Sequence, residues 1–159
     1  MIYKDIKLFS QNVRKNSLII KTILEIKTNF NIIFIQEPSW TTIHSIPSST
    51  NCERELLVGV VNHLNWLTFT RPYTNKSEYS RMIIYINIRL SFFHFSLLKD
   101  IIDYKDILLV SFFNNSKFFW LMNMYFDSSY SALKYLKDTK VNVCNLLVIT
   151  GDFNIWDNL

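Results

Sequence analysis

The chain has 159 residues, of which 49% are hydrophobic and 19% are charged. This balance supplies enough apolar material for a folded core and excludes an intrinsically disordered chain. The formal net charge is +4 at pH 7, which suits a polyanionic partner such as nucleic acid but is equally typical of a mildly basic surface. Both interpretations stay open at this point.

The two cysteines, Cys52 and Cys144, are far apart and follow no metal-ligand spacing, so we expect buried free thiols in a reducing compartment. The N-terminus is too charged for a signal peptide. The longest apolar run, residues 107–113, is much shorter than the ~20 residues that cross a bilayer. We therefore predict no membrane partner and an intracellular location, nuclear if the chain acts on chromosomal DNA, and leave the oligomeric state open.

The first forty residues have the pattern of a strand, a helix and a second strand. Residues 6–13 are apolar enough for a strand, and Asn16 is a suitable helix N-cap. A short β-branched run over residues 32–35 then ends in Gln36-Glu37-Pro38. The helix between them is predicted from apolar residues at helical spacing, namely Ile19, Ile23, Ile26 and Phe30. This β-α-β order favours a parallel pair of strands.

The middle of the chain is predicted to be rich in strands. Residues 41–55 are polar and are expected to form a surface loop. Strand candidates, separated by Asn, Ser and charged turns, follow at residues 56–61, 66–71, 82–88, 106–113 and 117–126. Asn114-Asn115-Ser116 is a hairpin signal, because Asn tolerates a positive φ.

The last part of the chain returns to a helix and a strand. Residues 128–140 predict a weaker helix with Ala132, Leu133 and Leu136 on its apolar side, and residues 145–150 predict the final strand. We therefore expect an α+β fold in one domain, residues 1–159, with mixed sheets inside and helices outside. The residues expected in or near its core are Trp66, Ile84, Ile86, Leu109, Trp120, Met122 and Val148.

Carboxylate and amide side chains follow the ends of several apolar runs. Glu37 closes one predicted strand, Asp152 follows another, and Asn12 ends the first. If these strands share a core, both carboxylates emerge at one sheet edge, where they can hold a hard divalent cation for phosphodiester hydrolysis. Asn154 points to the same side as Asp152 if the chain stays extended, and its amide can donate to a phosphate.

Four short motifs occur in an informative order: Ser10-Gln11-Asn12-Val13-Arg14, Ile35-Gln36-Glu37-Pro38, Met122-Asn123-Met124-Tyr125 and Thr150-Gly151-Asp152-Phe153-Asn154. Their order resembles the endonuclease/exonuclease/phosphatase superfamily, and most of all the endonuclease domains of fungal non-LTR retrotransposons. Residues 81–88 also look like the arginine-led strand of those domains. The resemblance covers essentially the whole chain. It implies a DNase I-like fold, a two-sheet β-sandwich flanked by helices in four layers (α/β/β/α), here incomplete at the C-terminus.

The resemblance also implies roles for single residues. Glu37 would be the principal ligand of Mg²⁺ (or Mn²⁺), and Asn12 would orient that ligand or the metal-bound water. Tyr125 would contact the scissile phosphate, Asp152 would position or activate the attacking water, and Asn154 would hold the phosphate. Each residue has a structural alternative as well, since Asn and Asp cap turns, Glu37 can be a solvated loop residue and Tyr125 can belong to the core.

The implied function is metal-dependent phosphodiester hydrolysis, an endonuclease-like nicking with DNA as substrate. The family also carries a later Ser-Asp-His segment, which these 159 residues lack, so we expect impaired activity. One alternative is a catalytically inactive retrotransposon remnant with at most weak nucleic-acid binding. Another is a phosphatase-type member of the superfamily that acts on phosphoinositides or sphingolipid head groups.

Overall fold

The computed structural model of the protein describes residues 6–39, 42–47, 54–59, 61–71, 80–114, 117–142 and 144–153. In chain order, the strands and α-helices in these ranges are β1 (Leu8–Asn12), α1 (Ser17–Ile26), β2 (Ile32–Gln36), β3 (Thr42–Pro47), β4 (Arg54–Gly59), β5 (Trp66–Phe69), β6 (Met82–Asn87), β7 (His94–Leu97), β8 (Ile107–Asn114), β9 (Lys117–Tyr125), α2 (Ser131–Thr139) and β10 (Leu146–Asp152). Neither of these two α-helices is long and apolar enough to cross a bilayer.

Two four-stranded sheets form the centre of the described structure. The first has the strand order β1-β2-β6-β5, and the second has the order β10-β9-β8-β7. Each sheet contains one parallel pair, β1 with β2 and β10 with β9, and the remaining pairs are antiparallel. A helix connects the strands of each parallel pair, as the β-α-β pattern at the start of the chain predicts.

Helix α1 forms where the sequence predicts it, and most of the predicted apolar side faces the core. The Asn16 side chain accepts hydrogen bonds from two backbone amides of the first turn, which caps the helix. The buried residues are Ile20, Ile23 and Leu24, whereas Ile26 is 62% exposed. Three residues of the expected stripe, Ile19, Ile23 and Phe30, pack in the core, so the prediction is wrong for Ile26 alone, the last residue of the helix.

Apolar side chains form three layers of contact. Buried residues of α1 pack against one face of the first sheet, including Ile33 and Tyr85. The opposite face of that sheet packs against the second sheet through residues such as Phe34 and Val110. The outer face of the second sheet packs against α2 at Ala132. The result is the four-layer α/β/β/α sandwich of the DNase I-like fold, as the sequence predicts.

The predicted core is confirmed. Five of its members are buried, namely Trp66, Ile84, Ile86, Leu109 and Met122. Trp120 and Val148 are partly buried and pack against the core clusters. The predicted hairpin is consistent with the antiparallel pairing of β8 and β9, in which Asn114 is opposite Lys117.

Two parts of the secondary-structure prediction are wrong. Residues 42–47 are not loop but strand β3, which pairs antiparallel with β4. Residues 42–46 contain three β-branched residues but no regular alternation, and pairing with the next strand makes this weak pattern a strand. Strand β7, of four residues, is the second difference, since the sequence analysis assigns no strand there. Cys144 is exposed rather than buried, and Cys52 lies outside the described residues.

Candidate active site

The polar residues predicted from strand ends converge at one end of the sandwich. Asn12 ends β1, Glu37 directly follows β2, and Asp152 ends β10. Tyr125 ends β9 and is the register partner of Asp152. Since each parallel pair has its carboxyl ends at the same edge, the two crossover units bring these side chains together. Asn154, the remaining predicted site residue, lies outside the described residues.

The Asn12 side chain joins the two predicted carboxylates. Its Nδ2 atom donates to Glu37 Oε2 at 2.9 Å and to Asp152 Oδ2 at 2.5 Å. Its Oδ1 atom accepts a hydrogen bond of 2.8 Å from the backbone amide of Arg14. Glu37 and Asp152 are 25 and 140 positions away from Asn12 in the sequence, yet both carboxylates bind the same Asn12 amide group. The two carboxylates therefore lie at the same site.

Glu37 is held by its backbone as well as by its side chain. Its φ is +49°, a left-handed conformation that is unfavourable for a residue with a Cβ atom. Its amide donates to the carbonyl oxygen of Arg81 at 2.7 Å, and its carbonyl accepts from the amide of Lys15 at 2.7 Å. These hydrogen bonds reach neighbouring segments on both sides and fix the direction of the Glu37 side chain.

Tyr125 is a hydrogen-bond donor at this site. Burial raises the pKa of its phenol, and the neighbouring Glu37 carboxylate, which the phenol hydrogen-bonds, raises it further, while the Arg81 guanidinium lowers it. The phenol therefore stays protonated at neutral pH. In this state Tyr125 can donate a proton in a hydrogen bond to Glu37 or to a phosphate oxygen, but it cannot serve as an anionic nucleophile.

Sequence reasoning missed the groups that support Tyr125. The Arg81 guanidinium carbon lies 4.2 Å from the centroid of the Tyr125 ring, a cation–π contact. The same guanidinium makes two hydrogen bonds of 2.6 Å to the fully buried Asp106 carboxylate. Asp127 lies 3.7 Å from it. An arginine at the start of an apolar strand was the signal for this cluster, but nothing local identified its partners.

Sequence reasoning also missed a buried amide pair beneath the site. Gln36 Nε2 donates to Asn123 Oδ1 at 2.6 Å, and both side chains are almost completely buried. Asn123 Nδ2 donates to the carbonyl oxygens of Ile35 and Ile83, each at 3.0 Å. Gln36 belongs to the first sheet and Asn123 to the second, so this pair links the sheets. The available signal was a lone polar residue in each of two apolar strands.

Gly151 allows β10 to lie close to β9 just before Asp152. A Cβ atom added at Gly151 would lie 2.2 Å from the Met124 carbonyl oxygen, which is too close for any side chain. Because the obstacle is backbone, it cannot move away without displacing β9. Glycine here is therefore required for the register that sets Asp152 beside Tyr125.

The converging side chains line a cavity of about 460 Å³. Its lining residues are Ser10, Gln11, Asn12, Arg14, Gln36, Glu37, Gly151 and Asp152. Within the described residues, no group of three or more His, Cys, Asp or Glu could hold a metal ion. The donor set of two carboxylates nevertheless fits Mg²⁺, since this ion keeps several waters and binds through one or two carboxylates together with substrate phosphate.

Comparison with known proteins agrees with the fold. No family model matches the chain, and no curated protein matches it. Among solved structures, it is similar to the endonuclease domain of TRAS1, a telomere-specific non-LTR retrotransposon, with a TM-score of 0.56 and 12% sequence identity. The similarity covers 96% of this chain and 61% of that one, so the chain spans about three fifths of its neighbour's length. At this identity the similarity shows the fold.

Proposed function

We propose that the chain is a metal-dependent phosphodiesterase of the endonuclease/exonuclease/phosphatase superfamily and that it nicks DNA. One observation carries the proposal: the Asn12 amide donates to both the Glu37 and the Asp152 carboxylates at a cavity. Two carboxylates at the ends of separate strands concentrate negative charge, which favours a divalent cation. A divalent cation bound between them would neutralise charge on the phosphoryl oxygens, which phosphodiester hydrolysis requires.

Each residue has a role in this proposal. Glu37 holds Mg²⁺ or Mn²⁺, and Asn12 fixes the orientation of its carboxylate. Asp152 accepts a hydrogen bond from the attacking water and orients it, while the Tyr125 phenol donates to a phosphate oxygen. The resemblance assigns Asn154 to the phosphate as well. When bound, the metal ion neutralises charge that develops on the phosphoryl oxygens.

DNA is the proposed substrate for two reasons. The net charge of +4 favours a polyanion, and the similar solved structure is an endonuclease domain. The charge does not separate a nucleic acid from a phosphoinositide, which is also polyanionic, so the preference for DNA over a lipid head group depends on the similarity to an endonuclease domain. Nicking of one strand at a time is the activity that the resemblance implies.

A plasmid-nicking assay tests this function. The protein would be incubated with supercoiled plasmid in Mg²⁺ or Mn²⁺ beside Glu37→Gln, Asp152→Asn and the control Glu25→Gln. Glu25 is exposed on α1, so its substitution removes one negative charge away from the site. We expect each site variant to lose about 100-fold or more of the rate, as is typical for removal of a catalytic acid–base group, and the control to keep it.

The outcomes separate the alternatives. Nicking that persists in both site variants, or that persists in EDTA, would reject the proposed site. Nicking absent from every protein, including the unsubstituted chain, would overturn the proposal in favour of an inactive remnant. Loss in the site variants alone supports it.

A further inference from the structure

Arg14 gives the carboxylate cavity a positive charge. It lines the cavity together with Glu37 and Asp152 and is the cationic residue among the lining residues that the structure describes. Its side chain is exposed, and no ion pair joins it to a carboxylate of the described residues. A guanidinium in this position is available to a ligand that enters the cavity.

The turn that carries Arg14 is strained. Arg14 and Lys15 have φ values of 47° and 60°, so two consecutive residues with Cβ atoms adopt the left-handed conformation. This conformation is unfavourable for residues with a Cβ atom, because the Cβ atom comes too close to the following carbonyl oxygen. Strain of this kind persists only where the surroundings enforce it, and it is concentrated at ligand-binding and catalytic sites.

Hydrogen bonds to the site residues hold this turn in place. The Arg14 amide donates to Asn12 Oδ1 at 2.8 Å, and the Lys15 amide donates to the Glu37 carbonyl at 2.7 Å. The Asn16 amide closes the turn on Val13 at 3.0 Å, and Asn16 then caps α1. The residues that position the two carboxylates therefore also fix the backbone from which the Arg14 side chain projects.

The charges of the cavity suit a phosphodiester beside a metal ion. Two carboxylates by themselves repel a phosphate, whereas a guanidinium binds phosphate oxygens with charge-assisted and often bidentate hydrogen bonds. We propose that Arg14 binds a backbone phosphate of the DNA that enters this cavity. This inference rests on the proposed function, since it names a contact to the same substrate at the same site.

Binding to DNA without metal tests the contact separately from catalysis. A fluorescein-labelled duplex would be titrated in EDTA over a series of NaCl concentrations, with anisotropy as the readout. The proteins are the unsubstituted chain, Arg14→Gln, Arg14→Lys and the control Arg89→Gln. Arg89 is an exposed arginine that follows β6, at the opposite end of that strand from the cavity, so the control removes the same charge at a distance.

Loss of one phosphate contact lowers the slope of log K against log salt by about 0.9. We expect this change in Arg14→Gln, a nearly unchanged slope with weaker binding in Arg14→Lys, and an unchanged slope in Arg89→Gln. Melting temperatures equal to that of the unsubstituted chain would show that the turn is intact.

The remaining outcomes overturn the inference. An unchanged slope in Arg14→Gln would mean that Arg14 contacts no phosphate. An equal decrease in Arg14→Gln and Arg89→Gln would mean that Arg14 contributes only net charge. Either result leaves metal-dependent nicking, and with it the proposed function, untouched. Absence of any DNA binding by the unsubstituted chain in EDTA would overturn the inference as well, whereas the proposed function is decided separately by the plasmid-nicking assay with Mg²⁺.

Discussion

Single side chains at the site each hold more than one group. The Asn12 amide donates to two carboxylates and accepts from the backbone of the following turn. Neither Asp nor Ala can replace it, because Asp lacks the two donor hydrogens and Ala lacks the whole amide. Arg81 acts in a similar way, since its guanidinium binds buried Asp106 and covers the Tyr125 ring while its carbonyl accepts from Glu37.

Removing the Arg81 guanidinium is expected to destabilise the fold strongly. Arg81→Met keeps most of the side-chain volume but leaves the fully buried Asp106 carboxylate without its partner. An uncompensated buried charge costs about 3 kcal/mol or more. Urea unfolding would measure this loss.

The Arg71–Asp103 ion pair provides the matched control. Its aspartate side chain is 67% exposed, so water can solvate Asp103 when Arg71 is replaced. Arg71→Met is therefore expected to cost less than about 1 kcal/mol. Equal losses in the two variants would show that Asp106 does not depend on Arg81.

At the scale of elements, α2 begins in an unusual way. Tyr130, the residue before its first turn, is left-handed and makes no side-chain capping bond. Asp127 supplies the cap instead, since its carboxylate accepts hydrogen bonds from the Ser131 amide, the Ser131 hydroxyl and the Ser129 hydroxyl. The hydrogen bonds from Ser131 lower the pKa of Asp127 to about 2, with Ser129 and Arg81 as smaller causes.

The low pKa of Asp127 predicts a specific dependence of stability on pH. Because the pKa is lower in the folded chain than in the unfolded chain, the carboxylate stabilises the fold above about pH 4. This contribution is lost as the pH falls from about 4 to 2. Asp127→Asn should therefore be less stable than the unsubstituted chain at pH 6, and the difference should shrink towards pH 2. Urea midpoints at pH 6, 4, 3 and 2 would measure it, and a constant difference would contradict it.

Elements with strong local signals were predictable from sequence. The N-cap at Asn16 and the apolar spacing that follows indicate α1, and the strand ends at Glu37 and Asp152 indicate the site. Strand β3 pairs with the next strand, β4, but its own pattern is weak, so the sequence does not indicate it. The Gln36–Asn123 and Arg81–Asp106 contacts join residues 87 and 25 positions apart. No local sequence pattern indicates such pairs. The residues that support the candidate site could therefore not be predicted from the sequence.

At the scale of the whole molecule, the candidate site is divided between the two sheets. Asn12 and Glu37 belong to the first sheet, whereas Tyr125 and Asp152 belong to the second. The distance between the two carboxylates therefore depends on how the sheets pack. Apolar side chains form a core cluster between the sheets. Apolar contacts are not directional, whereas a hydrogen bond requires a particular distance and angle.

The Gln36–Asn123 pair is expected to fix the two sheets relative to each other. Gln36 directly precedes Glu37, and Asn123 lies two residues before Tyr125, so the pair lies immediately beneath the site. Gln36→Leu leaves Asn123 Oδ1 with a long hydrogen bond of 3.5 Å from the Thr150 hydroxyl. Asn123→Leu leaves Gln36 Nε2 with the Ser10 hydroxyl at 3.2 Å. Each single variant therefore weakens the hydrogen bonding of a buried amide, at a cost of about 1–3 kcal/mol. The double variant removes both amides and should cost less than the sum of the two single losses.

A double-mutant cycle measured by urea unfolding tests this coupling. We expect an interaction energy of about 1–2 kcal/mol between Gln36 and Asn123, within the range found for buried residues in one hydrogen-bond network. Asn87 supplies the control, since it is a buried amide at the opposite end of β6, where it donates to the Phe30 carbonyl. Losses from Gln36→Leu and Asn87→Leu should add within about 0.5 kcal/mol. If the Gln36–Asn123 losses add equally well, the hydrogen bond between these two side chains does not align the sheets, and the carboxylates owe their positions to the other contacts between the sheets.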